Sequence, residues 1–220
     1  MSQIKVRLQG VFGDDETVYQ AAKTSTGFLN KPDAKEIERL LNFLIDSGHD
    51  GCFEHIVFRF HITCPQRIST QIVRHRIASY NWASARYGFE FTEVYDVYAV
   101  ACLEGILDEQ TAAALYNLQH ATEKLFKLHQ GFAESISHLP TTQRRRLRDL
   151  AAFSLPQGVM TLGVMTINAN SLKNFFKLRL DAHAQKEIRE VAELMWADIF
   201  GWYGKNRDGI LRFLPSPEGS

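Results

Sequence analysis

The stretch Arg74–Gly88 reads RHRIASYNWASARYG. It contains three arginines and one histidine but no Asp or Glu. The acid-free region is wider, because the chain has five arginines and no carboxylate from His55 to Phe89. The whole chain is nevertheless balanced, with 25 basic and 25 acidic residues. Arginine binds phosphate oxygens in pairs and keeps its charge when partly buried, so this local excess indicates an anion-binding site.

Two other interpretations of this stretch stay open. Runs of charge often form no more than a solvated face. The interleaved Ile77, Tyr80, Trp82 and Tyr87 favour a pocket instead, because ligand pockets combine apolar walls with a few convergent polar groups. Arginines with aromatics also suit single-stranded nucleic acid. The neutral balance and the pI of about 7.1 argue against a nucleic-acid footprint over a whole face.

The size and composition favour one globular domain over residues 1–220, with a flexible tail from about residue 213. No apolar run reaches the roughly 18 residues needed to span a bilayer. The N-terminus lacks the apolar core of a signal peptide. Cys52, Cys64 and Cys102 show no paired spacing, which disfavours a disulfide framework. We therefore expect a cytoplasmic protein.

The hydrophobic pattern predicts several strands interrupted by helices. Strands are expected at Ile4–Phe12, Phe53–Thr63 and Val159–Ile167. Helices are expected from Val18 to Lys23, Pro32 to Gly48, Pro65 to Arg76, Leu107 to Leu139 with a break at Gly131, Pro140 to Pro156, Leu172 to Leu180 and Ala182 to Trp202. Ile77–Tyr87 is expected to be an irregular loop, with a short strand after it through Phe91.

The histidines do not indicate a metal site. His55, His61 and His75 lack the tight ligand spacing, completed by Cys or carboxylate, that zinc sites usually show. We therefore assign no metal ligands.

Three segments resemble flavin-dependent thymidylate synthases. Arg74-His75-Arg76, followed after seven residues by Ser84, matches the signature of that family. The other two matching segments are Gly48-His49 with Phe53-Glu54-His55, and Asn168 with Ser171-Leu172, Asn174-Phe175, Leu178-Arg179, Asp181 and His183-Ala184-Gln185. The segments keep the order of the family and span most of the chain.

The resemblance implies an α+β fold, with a mostly antiparallel sheet flanked by long helices and assembly as a homotetramer whose sites lie between subunits. It implies that FAD is the cofactor and that dUMP is methylated at C5 to give dTMP. Methylenetetrahydrofolate would supply the carbon and NADPH the reducing equivalents. Such an enzyme needs no cysteine nucleophile.

The same resemblance implies roles for individual residues. The nucleotide would be bound by Gln71, Arg74, Ser84, Arg86 and Arg179. Arg179 would be catalytic, because a guanidinium at the uracil edge stabilises the anion that makes C5 nucleophilic. FAD would be bound by Arg74, His75, Arg76, Asn168 and Asn174, with His49, Glu54 and His183 on the flavin side.

The chain departs from the pattern of the family at four positions. Trp82 replaces Glu, Ala152 and Asn170 each replace Arg, and Gly51 replaces Thr. Lys173 or the arginines of 144–148 could compensate. Alternatively, the same chemistry acts on UMP, dCMP or a modified-base precursor, or the chain is an inactive relative. An RNA- or single-strand-binding protein and a structural oligomer with a vestigial site also remain possible.

Overall fold

The computed structural model describes residues 3–27, 31–84, 91–204 and 208–217. Its strands are β1 (Lys5–Phe12), β2 (Val57–Pro65), β3 (Ala78–Trp82) and β4 (Met160–Asn168). Its helices are α1 (Asp15–Lys23), α2 (Ala34–Asp46), α3 (Gln66–Ile72), α4 (Val97–Glu104), α5 (Glu109–Ser135), α6 (Thr141–Ala151), α7 (Ala169–Arg179), α8 (Lys186–Tyr203) and α9 (Asp208–Phe213). Short 3-10 turns lie at Thr24–Thr26, Asp50–His55 and Ala152–Ser154. The α+β prediction is confirmed.

The four strands form one sheet in the order β1-β2-β4-β3. β1 and β2 are antiparallel, with Lys5 opposite Thr63 and Phe12 opposite Val57. Their register shifts between Leu8 and Gly10, where the Leu8 N–H donates to the Asp198 carboxylate of α8 at 2.6 Å. A carboxylate therefore satisfies a backbone donor beside the irregularity in the ladder.

The chain divides into two compact units. One comprises Cys64–Ser69 and the described residues of Trp82–Leu162, and its core contains Phe91, Phe126 and Val159. The other comprises the described residues of Ser2–Thr63, Thr70–Asn81 and Gly163–Ser220. The prediction of a single domain stays a prediction.

The second unit contains the alternating face of β2. Phe58, Phe60 and Ile62 are fully buried, whereas Arg59 and His61 between them are exposed. This alternation is the predicted one, and it places three large apolar side chains in the core. The strand starts later than predicted, however, because Asp50–His55 folds as a 3-10 turn with Phe53 buried.

The region around the arginine-rich stretch also differs from prediction. The helix expected to reach Arg76 ends at Ile72. The N–H groups of Arg74 and His75 donate to the carbonyls of Gln71 and Ile72, which tightens the last turn. The loop expected over Ile77–Tyr87 contains β3, and Phe91 lies outside any strand. Residues 85–90 lie outside the described part of the chain.

The remaining helices follow the prediction with three differences. α5 continues through Gly131 without a break. α4 was not predicted, because its eight residues are nearly all apolar and show no helical periodicity. α9 follows α8, and Phe213 and Leu214 are buried, so packed structure extends past the expected start of the tail. None of the described helices is both long and apolar enough to cross a membrane.

Candidate active site

A surface pocket of about 500 Å³ lies in the second unit. Three segments line it: the 3-10 turn, the residues after α3, and α7. The lining residues are Glu54, Arg74, His75, Arg76, Ile77, Asn170, Ser171, Asn174, Leu178 and Arg179. Six residues that sequence analysis assigned to nucleotide or flavin therefore meet in one cavity: Glu54, Arg74, His75, Arg76, Asn174 and Arg179.

The turn that carries the Arg-His-Arg motif is fixed by Tyr80 of β3. The Tyr80 hydroxyl lies 2.7 Å from the carbonyl oxygen of His75 and 3.0 Å from that of Ile72. Both carbonyls lie at or just beyond the end of α3, where the regular N–H partners of a helix run out. Burial raises the pKa of Tyr80 to about 12, so its hydroxyl stays a donor.

Arg179 reaches the same motif from α7. Its Nε donates to Nε2 of His75 at 3.1 Å. Burial and the Arg179 charge lower the pKa of His75 from 6.5 to about 4. The neutral ring therefore accepts at Nε2 and carries its proton on Nδ1. Phe175 packs against the ring, with centroids 4.6 Å apart. This contact occupies Nε, and the terminal nitrogens of Arg179 make no hydrogen bond or ion pair with the described residues, which leaves them for a ligand.

The electrostatics of the pocket favour an anion. Arg74 and Arg76 are exposed, and neither side chain makes a hydrogen bond or ion pair with any residue that the structure describes. Glu54 is the one acid among the described residues that line the pocket, and its carboxylate accepts from Asn170 Nδ2 at 3.0 Å. Free guanidinium groups beside neutral amides suit phosphate oxygens.

Asn168 is placed differently from Asn174. It is the N-cap of α7, and its Oδ1 accepts from the Ser171 N–H at 2.8 Å. Capping therefore occupies this side-chain oxygen, and Asn168 does not line the pocket. Asn174 lies between Asn170 and Leu178 on the pocket side of the helix.

Four other predicted residues do not line the pocket, and a fifth, Arg86, lies outside the described residues. Gln71 donates to Gln185 at 2.7 Å. His49 precedes the 3-10 turn and has its ring 6.1 Å from that of Phe43. The His183 side chain is 98% exposed and lies 2.9 Å from Asp181. Ser84 belongs to the other unit.

Sequence analysis missed the contact that occupies Lys173. This residue was a candidate to compensate for the departures from the family, but its Nζ pairs with both carboxylate oxygens of Asp50, at 2.8 and 2.9 Å. Its charge is therefore already compensated. Ile77, Ser171 and Leu178 were not assigned to a ligand either, although they line the pocket. Ile77 adjoins Arg76, and Ser171 and Leu178 belong to the same matching segment as Asn174 and Arg179, which was the available signal.

No cysteine is among the described residues that line the pocket. Burial raises the pKa of Cys64 to about 12, which disfavours the nucleophilic thiolate. Within the described ranges, no group of three or more His, Cys, Asp or Glu side chains could hold a metal ion.

Comparison with known proteins agrees with this geometry. The family model described as thymidylate synthase complementing protein matches residues 7–203. The chain belongs to the flavin-dependent thymidylate synthase family. It is 36% identical over 201 residues to the flavin-dependent thymidylate synthase of Pseudothermotoga lettingae, covering 89% of this chain and 84% of that one. It is 34% identical over 199 residues to the enzyme of the same name from Thermosipho africanus, covering 89% and 85%.

A solved structure extends the family assignment to the fold. The UMP/dUMP methylase PolB from Streptomyces cacaoi, bound with 5-Br dUMP, aligns with a TM-score of 0.70. The alignment has 25% sequence identity and covers 91% of each chain. The protein is thus an enzyme of the flavin-dependent thymidylate synthase family, and the resemblance read from its motifs is confirmed.

Proposed function

We propose that the protein methylates dUMP at C5 to give dTMP, with FAD as cofactor, methylenetetrahydrofolate as carbon donor and NADPH as reductant. The observation that carries the proposal is the Arg179–His75 contact at 3.1 Å inside a pocket that also holds Arg74 and Arg76. Membership of the family and the names of the relatives support the flavin and the nucleotide.

The pocket residues fit a flavin dinucleotide. Arg74 and Arg76 are free of partners among the described residues and suit its pyrophosphate. Asn174 and His75 offer neutral hydrogen-bonding groups beside them. The bound flavin would supply the hydride chemistry, and the protein would bind, orient and polarise.

Arg179 acts on the nucleotide in this proposal. Its guanidinium, placed at the uracil edge, stabilises negative charge on the ring and makes C5 a better nucleophile. Neutral His75 accepts from Nε, so the two terminal nitrogens would remain to bind the base as a planar fork. His75 therefore contributes orientation and takes up no proton at neutral pH, because its pKa is held near 4.

UMP is a second candidate substrate. PolB is described as a UMP/dUMP methylase, and the present chain aligns with it over 91% of its length. The departures from the family at Trp82, Asn170, Ala152 and Gly51 give a further reason to test substrates other than dUMP, including dCMP and modified-base precursors.

We also propose that the enzyme is a cytoplasmic homotetramer with sites between subunits. Several large apolar side chains on and near α4 and α5 are exposed within one chain, which favours burial against other copies. They are Leu103, Ile106, Leu118, Leu125 and Leu128. Sedimentation velocity would test the assembly, and a monomer at micromolar concentration would contradict it.

The deciding experiment uses the purified protein with FAD, NADPH, methylenetetrahydrofolate and a panel of dUMP, UMP and dCMP. Flavin absorbance and a mass gain of one CH₂ on dUMP are expected. The matched Arg179→Lys protein should bind FAD but turn over slowly, because a point charge does not reproduce the planar fork. Gain on UMP alone would favour the second candidate. A colourless protein that modifies no nucleotide would refute the enzyme proposal.

A further inference from the structure

The C-terminal helix packs against the turn that carries Glu54. The Phe213 ring of α9 stacks on Phe53 of the turn, with centroids 3.8 Å apart and ring planes 3° from parallel. Both rings are buried, with 0% of Phe53 and 2% of Phe213 exposed. Large buried aromatic faces contribute strongly to packing, so this stack fixes the distance between α9 and the turn.

Lys173 of α7 joins the same two elements. Its Nζ lies 4.2 Å from the centroid of the Phe213 ring and pairs with Asp50, the first residue of the turn, at 2.8 Å. Only 16% of the Lys173 side chain is exposed. A partly buried ammonium held by a carboxylate and an aromatic face is restricted to one position.

α9 is in turn anchored to α2. Arg212 pairs with Asp46 at 2.8 Å and also donates to Asn42. At Gly209 an added Cβ would lie 2.5 Å from Leu41 Cδ2, so the backbone of α9 approaches α2 as closely as glycine permits. The element behind the turn therefore has its own fixed support.

α7 consequently contacts the turn at two points. Lys173 pairs with Asp50 at its start, and Asn170, one helical turn earlier, donates to Glu54 at 3.0 Å near its end. Asn170 and Glu54 line the pocket, whereas Lys173 and Phe213 do not. Lys173 and Phe213 can therefore act on the pocket only through the turn.

We propose that Lys173 and Phe213 are positioning residues that hold the Asp50–His55 turn, and with it Glu54, against the bound cofactor. The C-terminal helix completes the wall of the site without touching a ligand. The link to the cofactor rests on the proposed function, whereas the link to the turn does not.

The test compares four single variants with the wild-type protein. Lys173→Met removes the charge at similar length, and Phe213→Leu removes the stack. Lys173→Arg keeps the charge and should retain more of the wild-type exchange rate and FAD affinity than Lys173→Met. Lys177→Met is the matched control, because Lys177 is an exposed lysine one turn further along α7. The readouts are amide hydrogen exchange by mass spectrometry, FAD affinity by titration, kcat and KM, and thermal melting.

In Lys173→Met and Phe213→Leu, the amides of residues 50–55 should exchange faster than in the wild type, whereas amides elsewhere should exchange at the wild-type rate. Both variants should bind FAD about tenfold more weakly than the wild type. Lys177→Met should match the wild type, and Lys173→Arg should lie closer to the wild type than Lys173→Met in both measurements. Unchanged exchange at the turn in folded Lys173→Met would overturn the proposal, as would faster exchange with unchanged FAD affinity. If Phe213→Leu does not fold, Lys173→Met decides alone. If the wild-type protein binds no FAD, the proposed function fails, and the exchange data still decide whether these residues hold the turn.

Discussion

The hydrogen bond from Arg179 to His75 leads to a quantitative prediction for kcat/KM. In His75→Leu, Nε of Arg179 loses its acceptor, and the guanidinium can rotate away from the nucleotide. A hydrogen bond to a charged group contributes about 1.5–3 kcal/mol. Because His75 is only partly buried, we take about 1–2 kcal/mol, which corresponds to a loss of roughly 5- to 30-fold in kcat/KM for dUMP. Phe175 can still pack against leucine, so the fold should persist.

The control for this prediction is His75→Gln, whose carbonyl oxygen can still accept from Nε. It should recover most of the lost activity in the same steady-state methylation assay. If His75→Leu stays within about twofold of the wild type, orientation of Arg179 by His75 is wrong. If His75→Gln loses as much activity as His75→Leu, the acceptor for Nε does not account for the loss, and the reasoning is again refuted.

The same contact predicts a pH dependence. The pKa of His75 falls from 6.5 to about 4 in the folded protein, so between these values the unfolded chain binds a proton that the folded chain resists. The free energy of unfolding should therefore decrease as pH falls through this window. Urea unfolding at several pH values checks this, and His75→Gln should flatten the decrease. An equally steep decrease in His75→Gln would assign it to other groups.

Three further predictions test the anion site, the core and the helix cap. Arg74→Ala and Arg76→Ala should each weaken FAD binding by about five- to tenfold, and the loss should be smaller at high salt. A variant that binds FAD as tightly as the wild type at all salt concentrations would contradict the phosphate role. Phe60→Ala should lower the free energy of unfolding by about 3–5 kcal/mol in urea, whereas Phe12→Ala, 75% exposed, should change it little. Asn168→Ala should lower the free energy of unfolding by about 1 kcal/mol, whereas Asn168→Asp should leave it almost unchanged. FAD affinity should be unchanged in both variants, and a loss of affinity would assign Asn168 to the cofactor.

The sequence motifs identified much of the pocket because they name residue types that a ligand requires. Arg74, His75, Arg76 and Arg179 could be selected without knowing where the helices end. The contacts among them could not be predicted. Arg179 and His75 are 104 residues apart, and nothing in the local pattern specifies that Nε, rather than a terminal nitrogen, meets the ring.

The predicted end of α3 and start of β2 were wrong because a side chain distant in sequence determines the local structure at each place. The periodicity of α3 could continue to Arg76, but the His75 N–H donates to the Ile72 carbonyl and closes a tighter turn. The Tyr80 hydroxyl also donates to the carbonyls of Ile72 and His75. The alternating pattern from Phe53 to Thr63 predicts a strand that begins at Phe53, yet the Phe53 ring stacks on Phe213. Both outcomes follow from partners that lie outside the window from which periodicity is read.

The departures from the family differ in what they do to the site. Asn170 brings a neutral amide to Glu54 where the family has arginine, and Lys173 cannot replace that charge because Asp50 holds it. A Cβ added at Gly51 would meet no atom within 4 Å, so packing does not require glycine there. Beside Glu54 the pocket is therefore lined by the neutral Asn170 and Ser171, where the resemblance to the family implies an arginine at position 170. The cationic side chains among the described residues that line the pocket are Arg74, Arg76 and Arg179, so we expect anion recognition to depend on these three.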